Sequence, residues 1–398
     1  QAGDTSINDV TVNVLFEVVG YVNGSTIGLG AGTTVNNSGT LNTRSSINGY
    51  GISAGVNGRS TAGGNTFTNP ATGIVRTGGF NAHGMYIDAR ADGAATNSIT
   101  NAGTVITTGK QSDGIRLYTK NTTAEHSITN TGSITTSGET SSGIHIQNDQ
   151  SQTEIINSGT ITTSGKDAYG IYIQGAANVT NSGTIQTDAA GYAIYVDDNG
   201  NTSATTLTIE PGSVITGALK FSATRTSEKL IFAENLGSAD DIFEFNNTIA
   251  GLNEVEIKSQ GNVTMGASSY DLGGGVVTTG SSAVLKITGS ISGSGGLTKN
   301  GTGTLTLSGE NTFSGNAEIE SGTLALQGSA ASGSGEVIMA DDTVLRADTN
   351  LDLNNVFKLG GTVQFNTQGF DVTLGSTVSD NSVGQLIKTG SGTLTLNG

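Results

Sequence analysis

Apolar and polar residues alternate in short runs along most of the chain, and this period of two is that of a β-strand. One run covers Ser98 to Asn101, the next begins at Thr104 and a third at Ile115. The same three runs return in units of 24 to 32 residues. A unit of this size cannot bury its own apolar face, but stacked units form a common core. The pattern predicts an elongated all-β chain, a right-handed parallel β-helix with three-strand coils.

An asparagine closes the first strand of each unit, as in the stretch Ile128-Thr129-Asn130-Thr131-Gly132. Asparagine tolerates turn geometry, and its amide both donates and accepts hydrogen bonds. We expect these side chains to stack at one corner and to bond from coil to coil, as amides do in cross-β ladders. The predicted structural ladder consists of Asn37, Asn69, Asn101, Asn130, Asn157 and Asn181.

The third strand of each unit carries one variable residue between two apolar ones, as in Ile171-Tyr172-Ile173. Because the apolar pair points inward, the variable residue points out, as does the residue two places later. Tyrosine and arginine often anchor interfaces, which makes this outer face a candidate partner-binding surface. An equally simple interpretation is that tyrosine stabilises the sheet by packing across strands. The candidate residues are Tyr86, Arg116, Tyr118, His145, Tyr172 and Tyr195.

The repeat changes along the chain and predicts three regions. Residues 1–205 carry the regular asparagine units, and residues 206–283 are less regular, with an inserted loop near Ala223 to Glu228. Residues 284–398 carry a different repeat, in which Leu297 to Leu307 recurs as Leu386 to Leu396. All three regions keep the strand period, so we expect coils throughout.

Composition and charge exclude several classes of protein. The 398 residues include 61 Gly and 2 Pro, which favours many turns. Lys and Arg number 17 against 33 Asp and Glu, a net charge of −16, so a nucleic acid is not an expected partner. The chain has no Cys and therefore neither disulfides nor thiolate metal sites.

Short motifs of known chemistry occur, but each lacks part of its context. Gly51 to Gly55 matches a nucleophile elbow, which needs a following helix, whereas Ser53 falls in a predicted strand. Gly109-Lys110 and Gly165-Lys166 lack the spacing and the hydroxyl residue of a phosphate-binding loop. Asp197 to Asn201 lacks the full spacing of a calcium loop and is interpreted as a turn.

The positions of the carboxylates and histidines along the chain indicate no catalytic or metal site either. The pairs Asp240-Asp241 and Asp341-Asp342 are adjacent, and neighbours on a strand face opposite ways. His83, His126 and His145 lie in different units without metal-ligand spacing, and we expect each to be a solvated surface residue. The sequence therefore predicts no catalytic residue, no metal and no cofactor.

The C-terminal repeat resembles the passenger-associated transport repeat of bacterial autotransporters. The resemblance covers Gly295 to Leu326, including Asn311-Thr312-Phe313-Ser314-Gly315 and the stretch Ser321 to Leu326. It implies export by a type V route to the bacterial surface, with an outer-membrane β-barrel C-terminal to this segment in the full-length chain. It also implies that residues 290–398 serve folding and export. The asparagine units resemble, more loosely, AIDA-type and self-associating adhesins.

The resemblance implies a surface-exposed adhesin passenger that mediates cell–cell self-association or adhesion to surfaces, as in aggregation and biofilm. The expected partner is a second copy on another cell, or a host surface protein or glycan. A binder of host glycan or extracellular matrix is the alternative within binding proteins. A β-helical polysaccharide hydrolase or lyase is the alternative of another class, because a fold alone leaves function open.

Overall fold

The computed structural model describes residues 34–42, 50, 64–90, 95–120, 124–188, 191–197, 203–222, 225, 227–238, 241–272, 275–380 and 384–397, with the backbone of short strands at 11–14, 18–19, 27–29 and 52–54. The regular elements in these ranges are β-strands. Within them, no helix is long and apolar enough to cross a membrane. The chain divides into two compact units, Gln1–Leu207 with Gly212–Arg225, and Thr208–Pro211 with Thr226–Gly398.

In chain order, the strands as far as residue 220 are β1 Thr11–Val14, β2 Val18–Val19, β3 Ile27–Leu29, β4 Thr34–Asn37, β5 Thr40–Asn42, β6 Ile52–Ala54, β7 Thr66–Asn69, β8 Ile74–Thr77, β9 Met85–Ala89, β10 Ser98–Asn101, β11 Thr104–Thr107, β12 Ile115–Thr119, β13 His126–Asn130, β14 Ser133–Thr136, β15 Ile144–Asn157, β16 Thr160–Thr163, β17 Ile171–Asn181, β18 Thr184–Gln186, β19 Tyr192–Asp197, β20 Thr206–Ile209, β21 Val214–Thr216 and β22 Ala218–Lys220.

From residue 229 onward, the strands are β23 Lys229–Phe232, β24 Phe243–Phe245, β25 Ile249–Ala250, β26 Glu254–Ile257, β27 Asn262–Met265, β28 Ser269–Asp271, β29 Val276–Thr279, β30 Val284–Ile287, β31 Ser290–Ser292, β32 Leu297–Asn300, β33 Thr304–Leu307, β34 Ala317–Ile319, β35 Thr323–Leu326, β36 Val337–Ala340, β37 Val344–Ala347, β38 Leu351–Leu353, β39 Phe357–Gly360, β40 Thr362–Asn366, β41 Val372–Leu374, β42 Val378–Asp380, β43 Gln385–Thr389 and β44 Leu394–Leu396.

Parallel pairing between successive coils confirms the predicted β-helix. In the first unit, β10, β11 and β12 form one coil, and they pair in parallel with β13, β14 and β15 of the next. The coil therefore has the three strands that the sequence pattern predicts. The hand of the coil stays a prediction, in keeping with the right-handed sense of nearly all parallel crossovers.

Inward-facing apolar side chains fill each coil. Ile99 and Val105 are fully buried in one coil of the first unit, as are Ile115 and Leu117. The following coil places isoleucine at all four positions: Ile128, Ile134, Ile144 and Ile146. Each such side chain contributes about 2 kcal/mol by leaving water, so stacking supplies the core that one unit lacks.

The coils shorten along the first unit while the strands stay in register. Ser98 pairs with Ser127, 29 residues later, whereas Glu154 pairs with Asn178, 24 residues later. The shortening removes loop residues, and in β15 and β17 the third strand of one coil runs directly into the first strand of the next. Turn length varies, but the positions that face the core do not.

The asparagine column occupies one buried corner of the first unit. All six side chains are fully buried. The Nδ2 of each donates to the Oδ1 of the next: 2.8 Å from Asn37 to Asn69, 2.7 Å to Asn101, 2.8 Å to Asn130, 2.7 Å to Asn157 and 2.7 Å to Asn181. Buried amides need such partners, since an unpaired one is costly.

The backbone at this corner explains the Asn-x-Gly signature. The carbonyl of Asn101 accepts two N–H groups of the next coil, from Thr131 at 2.8 Å and Gly132 at 3.1 Å. A Cβ on Gly132 would lie 2.2 Å from the carbonyl oxygen of Gly103. Only glycine permits the turns to approach this closely, so both residues of the signature serve the stacking.

The second unit has shorter coils and one charged side chain in an apolar column. Ala317 pairs with Val337, a coil of 20 residues. Lys299 follows Val277 in an inward column and precedes Ile319, and it is 1% exposed. Glu254 to Ile257 alternates between half-buried and buried, which confirms the strand predicted there.

The Lys299 ammonium is held by main-chain oxygens of two turns. Its Nζ donates to the carbonyls of Asn300 at 2.9 Å, Gly301 at 2.6 Å and Ser321 at 2.9 Å. Gly301 has a φ of 75°, a left-handed conformation. Burial lowers the pKa of Lys299 to about 8, yet three acceptors match the three donors of the charged amine. The lysine thus links successive turns.

The two copies of the C-terminal repeat differ in burial. Leu305 and Leu307 are fully buried, as the inward face predicts. Leu396, by contrast, is 50% exposed, because no described coil covers it, and Leu394 is half-buried. Of the predicted inserted loop, Ala223, Thr224 and Thr226 lie outside the described residues.

Replacing Asn130 by Ala should lower the free energy of unfolding by about 1–3 kcal/mol, because it leaves the Asn101 Nδ2 and the Asn157 Oδ1 without their side-chain partners. Thermal melting measures the effect. Thr129→Ala on the outward side of the same strand is the control, and a stabilising ladder is ruled out if the two variants melt alike.

Lys299→Met should lower the free energy of unfolding by about 2 kcal/mol, since three carbonyl groups lose their donor although the column stays apolar. Lys286→Met is the control, as Lys286 lies on the outward side of β30 in the same unit. Denaturant titration compares the two. A Met variant as stable as the parent would show that the ammonium adds nothing.

Candidate binding face

The predicted outer residues lie in one column of the first unit. Parallel register places Tyr86 beside Arg116, Arg116 beside His145, and His145 beside Tyr172. Tyr195 pairs with Tyr172 and with Lys220. We call these six residues the outer column: Tyr86, Arg116, His145, Tyr172, Tyr195 and Lys220. Lys220 was not predicted, although Leu219 and Phe221 flank it as isoleucines flank Tyr172.

A second column lies two residues further along the same strands. Asp88 pairs with Tyr118, Tyr118 with Gln147, and Gln147 with Gln174, which precedes Asp197. Tyr118 is half-buried beneath the Arg90 guanidinium, whose Cζ lies 4.4 Å from the ring centroid. The structure thus brings all six predicted binding residues to the two columns of one sheet face.

Sequence reasoning missed a third column in the turn before each of these strands. Its residues precede the outer column by three positions, and we call them the turn column: His83, Asp113, Ser142, Tyr169 and Tyr192. They stack because the glycine after each of the first four bonds to the next residue of the column, as Gly143 donates to the Tyr169 carbonyl at 2.9 Å. The constant spacing of three residues before each outer-column position is the sequence signal that would identify them.

Neighbouring coils cover part of the predicted outer face. Tyr86 is 9% exposed and His145 8%, and Asp88 of the second column is 2% exposed, so their predicted exposure is wrong. The Tyr86 ring packs 5.1 Å from that of Tyr50, and the Tyr172 ring lies 4.6 Å from that of His145. Arg116, Tyr118, Tyr172 and Tyr195 are half-buried and remain accessible.

The prediction that the histidines are solvated is wrong for all three. His83 and His126 are 2% and 1% exposed, and His145 is covered as described. His126 shares the inward face of β13 with Ile128 and Asn130. His83 stacks 5.5 Å from Tyr50 in the turn. Their burial depends on aromatic and strand neighbours that lie dozens of residues away in the sequence.

A buried carboxylate, Asp113, organises the polar centre of the face. Its Oδ1 accepts the Ser142 N–H at 2.7 Å, and its Oδ2 lies 2.9 Å from the His145 Nδ1 and 3.6 Å from the Arg116 Nη1. Burial opposes ionisation, but the hydrogen bond with His145 and the nearby Arg116 guanidinium outweigh it and hold the pKa of Asp113 well below its usual range.

His83 beside this carboxylate is a neutral ring. Its Nδ1 accepts the backbone N–H of Asp113 at 2.9 Å, so it carries no proton there. Burial lowers the pKa of His83 to about 3, although Asp113 opposes the shift. The 3.4 Å approach of the His83 Nδ1 to the Asp113 Oδ2 is therefore not an ion pair.

Tyrosines form a continuous cluster at the other end of the face. Tyr172 and Tyr195 stack with centroids 5.4 Å apart and planes 12° apart. Tyr169 lies 5.1 Å from Tyr172 and 5.0 Å from Tyr195. The Lys220 Nζ lies 4.6 Å from the Tyr195 centroid. Because the rings cover one another, a partner meets mainly ring edges and hydroxyl groups.

The remaining motif residues give no catalytic or metal arrangement in the described ranges. No group of three or more His, Asp or Glu there is placed to hold a metal ion. Gln111 and Asp167 have φ of 56° and 54°, which places them in tight turns rather than phosphate loops. Residues 198–202 and Asp240 lie outside the described residues, as does the side chain of Ser53.

Two comparisons with known proteins match parts of the chain. The passenger-associated-transport-repeat family model matches residues 297–326 and 386–398. The adhesin BmaC autotransporter of Brucella suis biovar 1 (strain 1330) is 36% identical over 111 residues, which is 25% of this chain and 3% of that protein. The chain therefore spans a small part of that relative. No solved structure matches the chain.

Acid should weaken the fold through His83. The folded pKa of about 3 lies below the unfolded value of about 6.5. The unfolded chain therefore binds the extra proton between these values, and stability falls as the pH falls. Between about pH 7 and about pH 4.5, this group should cost about 2 kcal/mol.

His83→Gln removes this titration, so its unfolding free energy should fall less over the same interval. Tyr86→Phe keeps a ring against His83 and should retain the parental pH dependence. Denaturant titrations at the two pH values compare the three proteins. Identical pH dependence in His83→Gln and the parent would contradict a neutral buried histidine.

Proposed function

We propose that this chain, which its two matches support as an autotransporter passenger domain, is an adhesin that mediates cell–cell self-association or adhesion to surfaces. The passenger family implies exposure at the cell surface after transport through the outer membrane. The related BmaC protein is named as an adhesin, in keeping with a binding rather than a catalytic role.

The alignment of Tyr and Arg side chains on one sheet face carries the proposal. Arg116, His145, Tyr172 and Tyr195 follow one another in successive coils, at a spacing of about 4.8 Å. These residue types anchor interfaces more often than most. A row of repeated contacts engages a repeating partner best, since each further contact becomes intramolecular. A second copy of the same face has the matching period, which favours self-association.

Binding of a host glycan or matrix protein is the second candidate. The mixture of phenol, guanidinium and amide groups on this face supports it, because such groups recognise hydroxyl-rich and peptide surfaces alike. An enzymatic role finds less support. The Asp113 carboxylate is 2% exposed and accepts from Ser142 and His145, which suits positioning rather than proton transfer to a substrate.

Bacteria that display the full-length parent protein test the proposal. Changing Tyr118, Tyr172 and Tyr195 together to Ser removes the three half-buried rings of the two columns while leaving Asp113 and its partners in place. Settling of cells and attachment to host cells should both fall strongly, because the aromatic contact area is lost.

The matched control changes three outward residues of another sheet, Thr135, Thr162 and Gln186, to Ser. Surface display and circular dichroism should equal those of the parent for both triple variants. Parental settling and attachment in the folded Tyr variant would eliminate this face as the adhesive site.

A further inference from the structure

A groove opens on the sheet face between the turn column and the outer column. Its volume is about 330 Å³, which is in the lower range of small-molecule sites. Asp113 and Ser142 line it, and Tyr169 and Tyr172 form an aromatic wall. The groove exists because the turn column carries these two small residues between His83 and Tyr169.

The rim of the groove is a row of polar side chains in left-handed turns, and three of its four members are neutral. Asn81, Gln111 and Thr140 have φ of 51°, 56° and 53° and line the same groove. They precede the outer column by five residues in successive coils, so the rim repeats with the coils. Amide and hydroxyl groups both donate and accept hydrogen bonds, which suits a ligand with many hydroxyl groups.

The charge inside the groove favours a neutral ligand. Arg116 supplies its guanidinium, but the Asp113 carboxylate lies 3.6 Å from it and balances that charge. Asp167 is exposed and also lines the groove, and its Oδ2 lies 3.9 Å from the Lys166 Nζ. Each cation at the groove thus has a carboxylate partner, which leaves no unpaired charge to bind an anionic ligand.

We propose that this groove binds one neutral sugar residue, a hexose or N-acetylhexosamine unit of a glycan. The apolar edges of the Tyr169 and Tyr172 rings contact the C–H side of the sugar ring. The rim amides and hydroxyls bond its hydroxyl groups, and the buried Asp113 network fixes the floor. The proposal rests on the proposed adhesive function, whose partner it specifies at this face.

Binding of methyl glycosides to the purified chain, followed by saturation-transfer NMR and calorimetry, tests the proposal. The probes are the methyl glycosides of glucose, galactose, mannose and N-acetylglucosamine, with glucuronic acid as the acidic comparison. At least one neutral glycoside should bind, and more tightly than the acid.

Two pairs of variants locate the site. Tyr169→Ala should weaken binding about tenfold, whereas Phe370→Ala, which removes an exposed aromatic ring of the second unit, should not. Gln111→Gly should weaken it similarly, whereas Gln260→Gly should not. Both glutamines are exposed and have positive φ, at 56° and 63°, so glycine strains neither.

Absence of binding by every neutral glycoside, preference for the acid, or equal effects within each variant pair would overturn the sugar proposal. The settling and attachment assays distinguish this outcome from failure of the adhesive function. If the purified chain binds no sugar but cells still settle in a way that depends on the three tyrosines, the adhesive function stands. Only the assignment of a sugar as its partner is then wrong.

Discussion

In-register parallel hydrogen bonding between successive coils is the constraint on which the rest of each unit depends. It places equivalent residues about 4.8 Å apart, whatever the loop between them. A residue type that recurs once per coil therefore becomes a column. The buried asparagines and the outer column follow from the register of the paired strands, and the turn column follows from the hydrogen bonds between the turns that precede them.

Columns allow polar groups to be buried where a single coil could not satisfy them. Asn130 receives a hydrogen bond from the coil before it and gives one to the coil after it. The Asp113 carboxylate accepts the Ser142 N–H and contacts the His145 imidazole, both of the following coil. Lys299 is also satisfied by more than one coil, although it lies in an inward column of apolar side chains. Its ammonium donates to carbonyls of two coils. Buried polar groups here are satisfied mostly between coils.

The sequence predicts the strands, the coil and the column positions, because each follows from local alternation and repeat spacing. Burial of the site residues does not follow from either. Tyr86 and His145 point out of their own strands, as alternation requires, yet Tyr50 and Tyr172 of other coils cover them. The turn column escaped prediction because its residues differ chemically, from Asp113 to Tyr192, although their spacing is constant. A groove formed by small residues between large ones appears only when the coils are stacked.

The asparagine ladder also has a direction, because every Nδ2 donates toward the following coil. Each asparagine side chain offers an acceptor to the preceding coil and a donor to the following coil. Any two of these asparagines can therefore be neighbours in the ladder. A gene segment that encodes one coil can thus be duplicated or lost by recombination, and the flanking rungs still find a matching partner. The length of this part of the molecule is free to change by whole coils, while the positions that face the core stay the same.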